Sequence, residues 1–100
     1  MATILILEND LGFAFWLGQT LTAPHCTALP ALTVAAAAAL IAQFQLKIDF
    51  LIMNPAVPGA TEFTRGLRKQ HRQMRVASLA PETGDGDRRR DEWDVLAREG

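Results

Sequence analysis

Two short polar segments, each directly after an apolar run, hold the side chains of this sequence that are best placed to do chemistry. "ILILEND" ends in Glu8, Asn9 and Asp10, and "FLIMN" ends in Asn54, which the loop "PAVPG" follows. Carboxylate oxygens bind hard cations and can attack phosphoryl groups, whereas an amide has no charge and no nucleophilic oxygen. These residues therefore form either a reactive site or only the capped ends of two strands.

The elements that would position these residues alternate between strands and helices. Continuous apolar runs predict buried strands over 3–8 and 50–54, and "RVASLA" predicts a fourth strand. Pro30 places "CTALPA" at a sheet edge because proline has no amide hydrogen to donate. Helical spacing predicts three helices, over 11–22, 34–45 and 61–73. Strands joined through helices pair in parallel, so we expect an α/β protein with a three-layer open sheet.

The apolar positions also predict which side of each helix packs on the sheet. In the first helix these positions are Phe13, Trp16, Leu17 and Leu21. In the second helix they are Val34, Ala37, Ile41 and Phe44. Asp10 and Thr33 are expected to cap the two helices, since their side chains can accept backbone N–H groups of the first turn.

Composition indicates an ordinary globular protein. The 100 residues are 49% hydrophobic and 21% charged, with a formal net charge of −1 that gives no general attraction to nucleic acid or membrane. With Cys26 alone no internal disulfide can form, and "VAAAAALIA" is too short to span a bilayer, so a cytoplasmic location is expected. We expect one domain over 1–80, then a linker and short C-terminal helix over 81–100.

This order of elements, with the polar cluster after the first strand and the proline-glycine loop after Asn54, resembles the receiver domain of two-component response regulators. In that family the first buried strand ends in an acidic pair that binds Mg²⁺, and the third ends in a phosphorylated aspartate. The resemblance implies a flavodoxin-like, CheY-like sheet. It would be truncated after the fourth strand, because twenty residues follow Ala80 where the family's remaining elements need roughly 35.

Carried over residue by residue, the resemblance puts Asn54 at the phosphoacceptor position and Glu8 and Asn9 on the acidic pair. An amide then replaces the nucleophile, and a second amide replaces one of the two metal carboxylates. The family's switch hydroxyl aligns with Leu79, beside Ser78, and the fifth-strand lysine has only Arg88 to Arg90 as matches by order. The resemblance implies a pseudo-receiver that is not an enzyme and holds neither metal nor cofactor.

Two surfaces are candidates for interaction. Leu11, Phe15 and Gly18 lie opposite the sheet-facing side of the first helix, and Thr22 extends the row, so this surface is predicted to contact a partner protein or a second copy. The basic face consists of Arg65, Arg68, Lys69, Arg72 and Arg75. It lacks interleaved aromatic residues, which favours a solvated helix face over a nucleic-acid site.

These observations predict a phosphorylation-independent, receiver-like protein–protein interaction module in signal transduction, most readily a homodimer, with the edge strand "RVASLA" also favouring self-pairing. One alternative is a small nucleic-acid-associated regulator that uses the basic third helix. Another is an atypical receiver phosphorylated on a different carboxylate, such as Asp10. A weak cation site formed by the cluster and Asn54 is a further alternative to simple capping.

Overall fold

The computed structural model describes residues 1–79. The predicted end of the sheet after the fourth strand, the linker, the C-terminal helix and Arg88 to Arg90 all concern residues that lie outside this described part. Within it, strands and helices alternate in the predicted order: β1 (Ala2–Leu7), α1 (Leu11–Leu21), β2 (Cys26–Ala31), α2 (Val34–Phe44), β3 (Phe50–Met53), α3 (Ala60–Gln70) and β4 (Arg75–Ser78). None of these helices has the length and apolar character needed to cross a membrane.

The four strands form one parallel sheet in the order β2-β1-β3-β4. The predicted α/β fold with an open parallel sheet is thereby confirmed, and β2, which contains Pro30, is an edge strand as predicted. The register pairs Leu7 with Met53 and Met53 with Ser78, so the carboxyl ends of β1, β3 and β4 are level. The residues that follow these strands therefore meet at one edge of the sheet.

Both faces of the sheet are buried, which explains why the central strands are continuously apolar. Leu5 and Leu51 belong to one core cluster, and Ile6 and Ile52 to the other, because successive side chains of a strand point to opposite faces. Leu17 of α1 packs in the second cluster. Ala37 of α2 and Leu67 of α3 pack in the first. The arrangement is the three-layer sandwich that the sequence predicts.

The helix ends follow local rules. Asp10 Oδ1 accepts the Phe13 N–H at 3.0 Å, and Thr33 Oγ1 accepts the Ala36 N–H at 3.0 Å, so both predicted caps are confirmed. α2 ends at Phe44, and its C-cap residue Gln45 has a φ of 50°, in the left-handed region. α3 starts after Gly59, which ends the proline-glycine loop with a φ of 80°.

The prediction that Phe44 belongs to the inward face of α2 was wrong. Phe44 is 59% exposed, while Leu40 and Ile41 pack against the first core cluster. Phe44 is the last residue of the helix, and the left-handed Gln45 turns the chain so that Leu46 packs on that core instead.

Candidate functional site

The carboxyl end of the sheet holds a buried carboxylate that is hydrogen-bonded to a buried amide. Glu8 is 0% exposed and Asn54 is 2% exposed. Asn54 Nδ2 donates to Glu8 at distances of 3.2 Å from Oε1 and 3.3 Å from Oε2. The two residues are 46 positions apart in sequence, and the parallel register of β1 and β3 is what brings them together.

Backbone groups fix both side chains of this Glu8–Asn54 pair. Glu8 Oε2 also accepts the Asp10 N–H at 2.9 Å, and Asn54 Oδ1 accepts the Ala56 N–H at 2.9 Å. The Asn54 carbonyl accepts the Val57 N–H at 3.0 Å, which closes the turn into the proline-glycine loop. The amide therefore has one orientation that satisfies both ends, because the reverse orientation would place its oxygen against the carboxylate.

This geometry determines the chemistry that the pair can support. A buried carboxylate is costly unless hydrogen-bond donors stabilise its charge, and here the amide and a backbone N–H do so. Neither polar atom of the Asn54 side chain, Oδ1 or Nδ2, is a nucleophile suited to phosphoryl transfer. The amide also carries no negative charge that would help to hold a cation beside Glu8.

The other two residues of the predicted acidic cluster lie at exposed positions. Asn9 is exposed, and Asp10 is exposed with Oδ1 engaged in capping α1. Within residues 1–79, no group of three or more His, Cys, Asp or Glu side chains is arranged to hold a metal ion. Of the predicted cluster, Glu8 is the residue whose side chain is hydrogen-bonded to Asn54.

The position predicted for the switch hydroxyl is occupied by an aliphatic side chain. Leu79 is 0% exposed, and its N–H donates to the Met53 carbonyl at 2.9 Å, one residue before Asn54. Ser78 is exposed, and successive residues of an extended chain point to opposite sides. The core side of the chain beside Asn54 thus has an apolar group where the resemblance implies a hydroxyl.

The predicted surface of α1 is only partly exposed. Leu11 and Phe15 are each 54% exposed and Thr22 is exposed, but Gly18 is buried, which corrects its placement on the open face. A Cβ at Gly18 would lie 3.7 Å from Pro30 Cδ, because the absence of a side chain lets α1 approach β2 closely.

A groove runs between α1 and the edge strand β2. It has a volume of about 500 Å³ and is lined by Phe15, Gly18, Gln19, Thr22, Ala28 and Pro30. We call it the α1–β2 groove. We did not predict from the sequence that Gln19 and Ala28 line this groove. The small residues Gly18, on the helix, and Ala28, on the edge strand, are the sequence features that could have indicated a close approach of α1 to β2.

The basic residues do not form one helix face. Arg65, Arg68 and Lys69 are exposed on α3, but the helix ends at Gln70 and not at residue 73. Arg72 therefore lies in the turn after the helix, and Arg75 is the first residue of β4. The predicted face is divided among a helix, a turn and a strand.

Comparison with known proteins supports the fold. No protein-family model matches the sequence, and no curated protein matches it significantly. A solved structure that is similar to this chain is described as a response regulator receiver domain protein from Clostridium thermocellum. It superposes with a TM-score of 0.67 at 20% sequence identity, and the alignment covers 100% of this chain and 77% of that one. At this identity the similarity establishes a receiver-like fold.

Proposed function

We propose that this receiver-like chain is a protein–protein interaction module of signal transduction that works without being phosphorylated. The observation that carries the proposal is the hydrogen bond from Asn54 Nδ2 to the buried Glu8 carboxylate. In receiver domains the residue at the end of this strand accepts the phosphoryl group. Here that residue is an amide whose two polar atoms are both used inside the fold.

Two further features support the same proposal. A phosphoryl group at the end of β3 would need a cation to balance its charge, and Asn9, at the second metal position, is an exposed amide. Leu79 offers no hydroxyl that could respond to phosphorylation. The acceptor, the metal site and the switch are thus all changed, so binding through its surface is the function that the residues of this chain suit best.

Intact-mass measurement after incubation with acetyl phosphate and Mg²⁺ tests phosphorylation independence. We expect the wild-type mass to stay unchanged. Asn54→Asp is the informative comparison, because it restores a carboxylate at the strand end, and Asp10→Asn removes the alternative acceptor. A labile phosphoryl adduct on the wild-type chain would refute the proposal, and its loss in Asp10→Asn would identify an atypical receiver.

The partner that we propose is a second copy of the chain, docked through α1. This helix contains no charged residue, so two copies can approach face to face without like charges opposing each other. Phe15 and Leu11 are each 54% exposed, and the α1–β2 groove of about 500 Å³ lies beside Phe15. In a two-fold dimer, the Phe15 ring of each copy would enter the groove of the other.

Sedimentation velocity over a concentration series tests this dimer. We expect a dimer whose dissociation constant rises about tenfold or more in Phe15→Ala, since buried aromatic anchors dominate small interfaces. Phe44→Ala is a matched control, because Phe44 is 59% exposed on α2, away from the groove, and its loss should leave the dimer intact. A wild-type protein that remains monomeric at about 100 μM, or equal effects of both substitutions, would exclude this interface.

A further inference from the structure

A second cleft lies at the opposite end of the sheet from the Glu8–Asn54 pair. It is formed by the connection from α2 to β3 and the connection from α3 to β4, at the amino ends of these two strands. Its volume is about 520 Å³, which is within the range of small-molecule sites. We call it the amino-end cleft.

Main-chain hydrogen bonds hold the walls of the amino-end cleft in place. The Asp49 N–H donates to the Thr3 carbonyl at 3.0 Å, and the Asp49 carbonyl accepts the Arg75 N–H at 3.1 Å. On the other wall, the His71 N–H donates to the Leu67 carbonyl at 2.7 Å, and the His71 carbonyl accepts the Met74 N–H at 3.0 Å. Because both walls are tied to the sheet or to α3, a ligand would meet a preformed site.

A histidine links the two walls. His71 Nδ1 accepts the Ile48 N–H at 3.4 Å, a long hydrogen bond between residues 23 positions apart in sequence. In the neutral ring, an accepting Nδ1 leaves the proton on Nε2. The other ring nitrogen, Nε2, then carries an N–H that can donate to an acceptor.

The lining of the cleft combines buried apolar residues with exposed cations. Ile48 is 2% exposed and Met74 is 8% exposed, whereas the lining residues Lys47, Lys69 and Arg72 are exposed. Lys69 is in the last turn of α3, where a cation also stabilises the helix dipole. Lys47 and Arg72 are outside any helix, so that explanation does not apply to them.

One acidic residue is among the lining residues. Asp49 lines this cleft, and its Oδ2 accepts the Thr3 N–H at 2.8 Å, which engages the carboxylate with β1. Three bases less one acid give a formal charge of +2 for the lining residues, with His71 neutral. The local charge therefore differs in sign from the formal charge of −1 of the complete chain.

We propose that the amino-end cleft binds a small phosphate ester with an apolar or aromatic portion, of the size of a nucleoside monophosphate. Lys47, Arg72 and the His71 Nε2–H would hold the phosphate, because cations and N–H donors recognise phosphate oxygens. The apolar portion would lie against Leu46, which is half-buried and lines the cleft. The volume of about 520 Å³ favours a small ligand over a nucleic-acid strand, and the lining includes no Phe, Tyr or Trp on which successive bases of a strand could stack.

Isothermal titration calorimetry of the full chain with adenosine monophosphate, inorganic phosphate and adenosine tests this site. We expect saturable binding of adenosine monophosphate and weaker binding of phosphate. Adenosine should bind at least about tenfold more weakly than the monophosphate, because it lacks the charged group. Lys47→Glu/Arg72→Glu should weaken binding of the monophosphate by about tenfold or more, since both substituted side chains line the cleft.

Arg65→Glu/Arg68→Glu is the matched control. It changes the net charge by the same amount with exposed arginines of α3 that are not part of the cleft lining, so binding should be retained. The proposal is overturned if neither phosphate compound binds at about 10 mM, or if the two double variants lose binding equally. Tighter binding of a 20-nucleotide single strand that depends on Arg65 and Arg68 would instead assign these bases to nucleic acid.

Discussion

The substitution Asn54→Asp is the most direct probe of the Glu8–Asn54 pair. It replaces Nδ2, which lies 3.2 Å and 3.3 Å from the two Glu8 oxygens, with a carboxylate oxygen in the same buried place. An attractive hydrogen bond becomes a contact between two groups that both tend to carry negative charge. In the wild-type fold each side chain is at most 2% exposed, so water does little to weaken that repulsion.

The folded variant can have both carboxyl groups ionised or one of them protonated, and either state lowers the free energy of unfolding. If both carboxylates stay ionised at 3.2 Å, their repulsion is about 5 kcal/mol at an effective dielectric constant of about 20. If one carboxyl instead keeps a proton at pH 7, about three units above the usual carboxyl pKa, the cost is about 4 kcal/mol. The state of lower energy determines the outcome, so we expect the free energy of unfolding to fall by about 4 kcal/mol. This is a large part of the 5–15 kcal/mol typical of a domain.

Urea denaturation of a small set of variants measures this loss. Asn9→Asp is the matched control, since it makes the same chemical change one residue from Glu8 at an exposed position and should shift stability by less than about 0.5 kcal/mol. The exchange variant Glu8→Gln/Asn54→Asp restores one amide facing one carboxylate. It should therefore be more stable than Asn54→Asp alone, although it removes a wild-type residue from each strand end.

The pH and metal dependence of Asn54→Asp follow from the same repulsion. The paired carboxyls of the folded variant would have a raised pKa, so the folded state binds a proton that the unfolded chain binds only at lower pH. The destabilisation relative to wild type should thus be complete at about pH 8 and smaller at about pH 5. If Mg²⁺ binds the folded variant, a concentration about ten times its dissociation constant would raise the free energy of unfolding of Asn54→Asp by about 1.4 kcal/mol.

Three results would refute this reasoning. The first is an Asn54→Asp protein within about 0.5 kcal/mol of wild type at pH 8. The second is an exchange variant no more stable than Asn54→Asp, and the third is a destabilisation that grows as the pH falls. Any of them would mean that the amide does not stabilise Glu8 in the way that the hydrogen-bond geometry indicates.

Two backbone predictions can be checked by urea denaturation at one pH. Gly66→Ala should raise the free energy of unfolding by about 1 kcal/mol, because alanine favours a helix and the new Cβ in α3 meets no atom within 4 Å. Gly59→Ala should lower the free energy of unfolding by about 1–2 kcal/mol, because a residue with a Cβ is strained at a φ of 80°. Gln45→Gly, at a φ of 50°, should raise it by up to about 1 kcal/mol, while its control Gln43→Gly, inside α2, should lower it by about as much. A change of the same sign in the two glutamine variants would contradict the second prediction.

The fold was predictable because its signals are local. Strands buried on both faces leave continuous apolar runs, and a capping side chain acts within its own first turn, as Asp10 and Thr33 do. Pro30 marked an edge strand for a reason that depends on one missing hydrogen. Each of these features can be read in a short window of sequence without knowing what packs against it.

Features that depend on how elements pack could not be predicted in this way. The spacing of Phe44 fits the inward face of α2, but Phe44 is the last residue of the helix and is 59% exposed, while Leu46 packs on the core after the turn at Gln45. Gly18 fits the outward row of α1, yet it is buried because the helix approaches Pro30. Neither outcome follows from the spacing of apolar residues within the helix alone.

The Glu8–Asn54 pair and the amino-end cleft likewise differ in how far they could be predicted from the sequence. The resemblance to receiver domains indicated that Glu8 and Asn54 share one sheet edge, but the orientation of the amide toward both carboxylate oxygens needed coordinates. No sequence pattern connects Lys47 with Arg72. They line one cleft because β3 and β4 pair in parallel, which places the turns that precede these strands side by side.

A parallel sheet has two different ends, and in this chain their polar groups are used in opposite ways. At the carboxyl end, where open α/β proteins usually bind ligands, Glu8 and Asn54 satisfy each other inside the fold. At the amino end, the side chains of Lys47 and Arg72 are exposed around a preformed cleft. A buried pair that is already satisfied gains little from a ligand, whereas exposed cations beside apolar surface can still gain from an anion. The small-ligand site that we propose is therefore at the amino end, the reverse of what fold similarity alone would suggest.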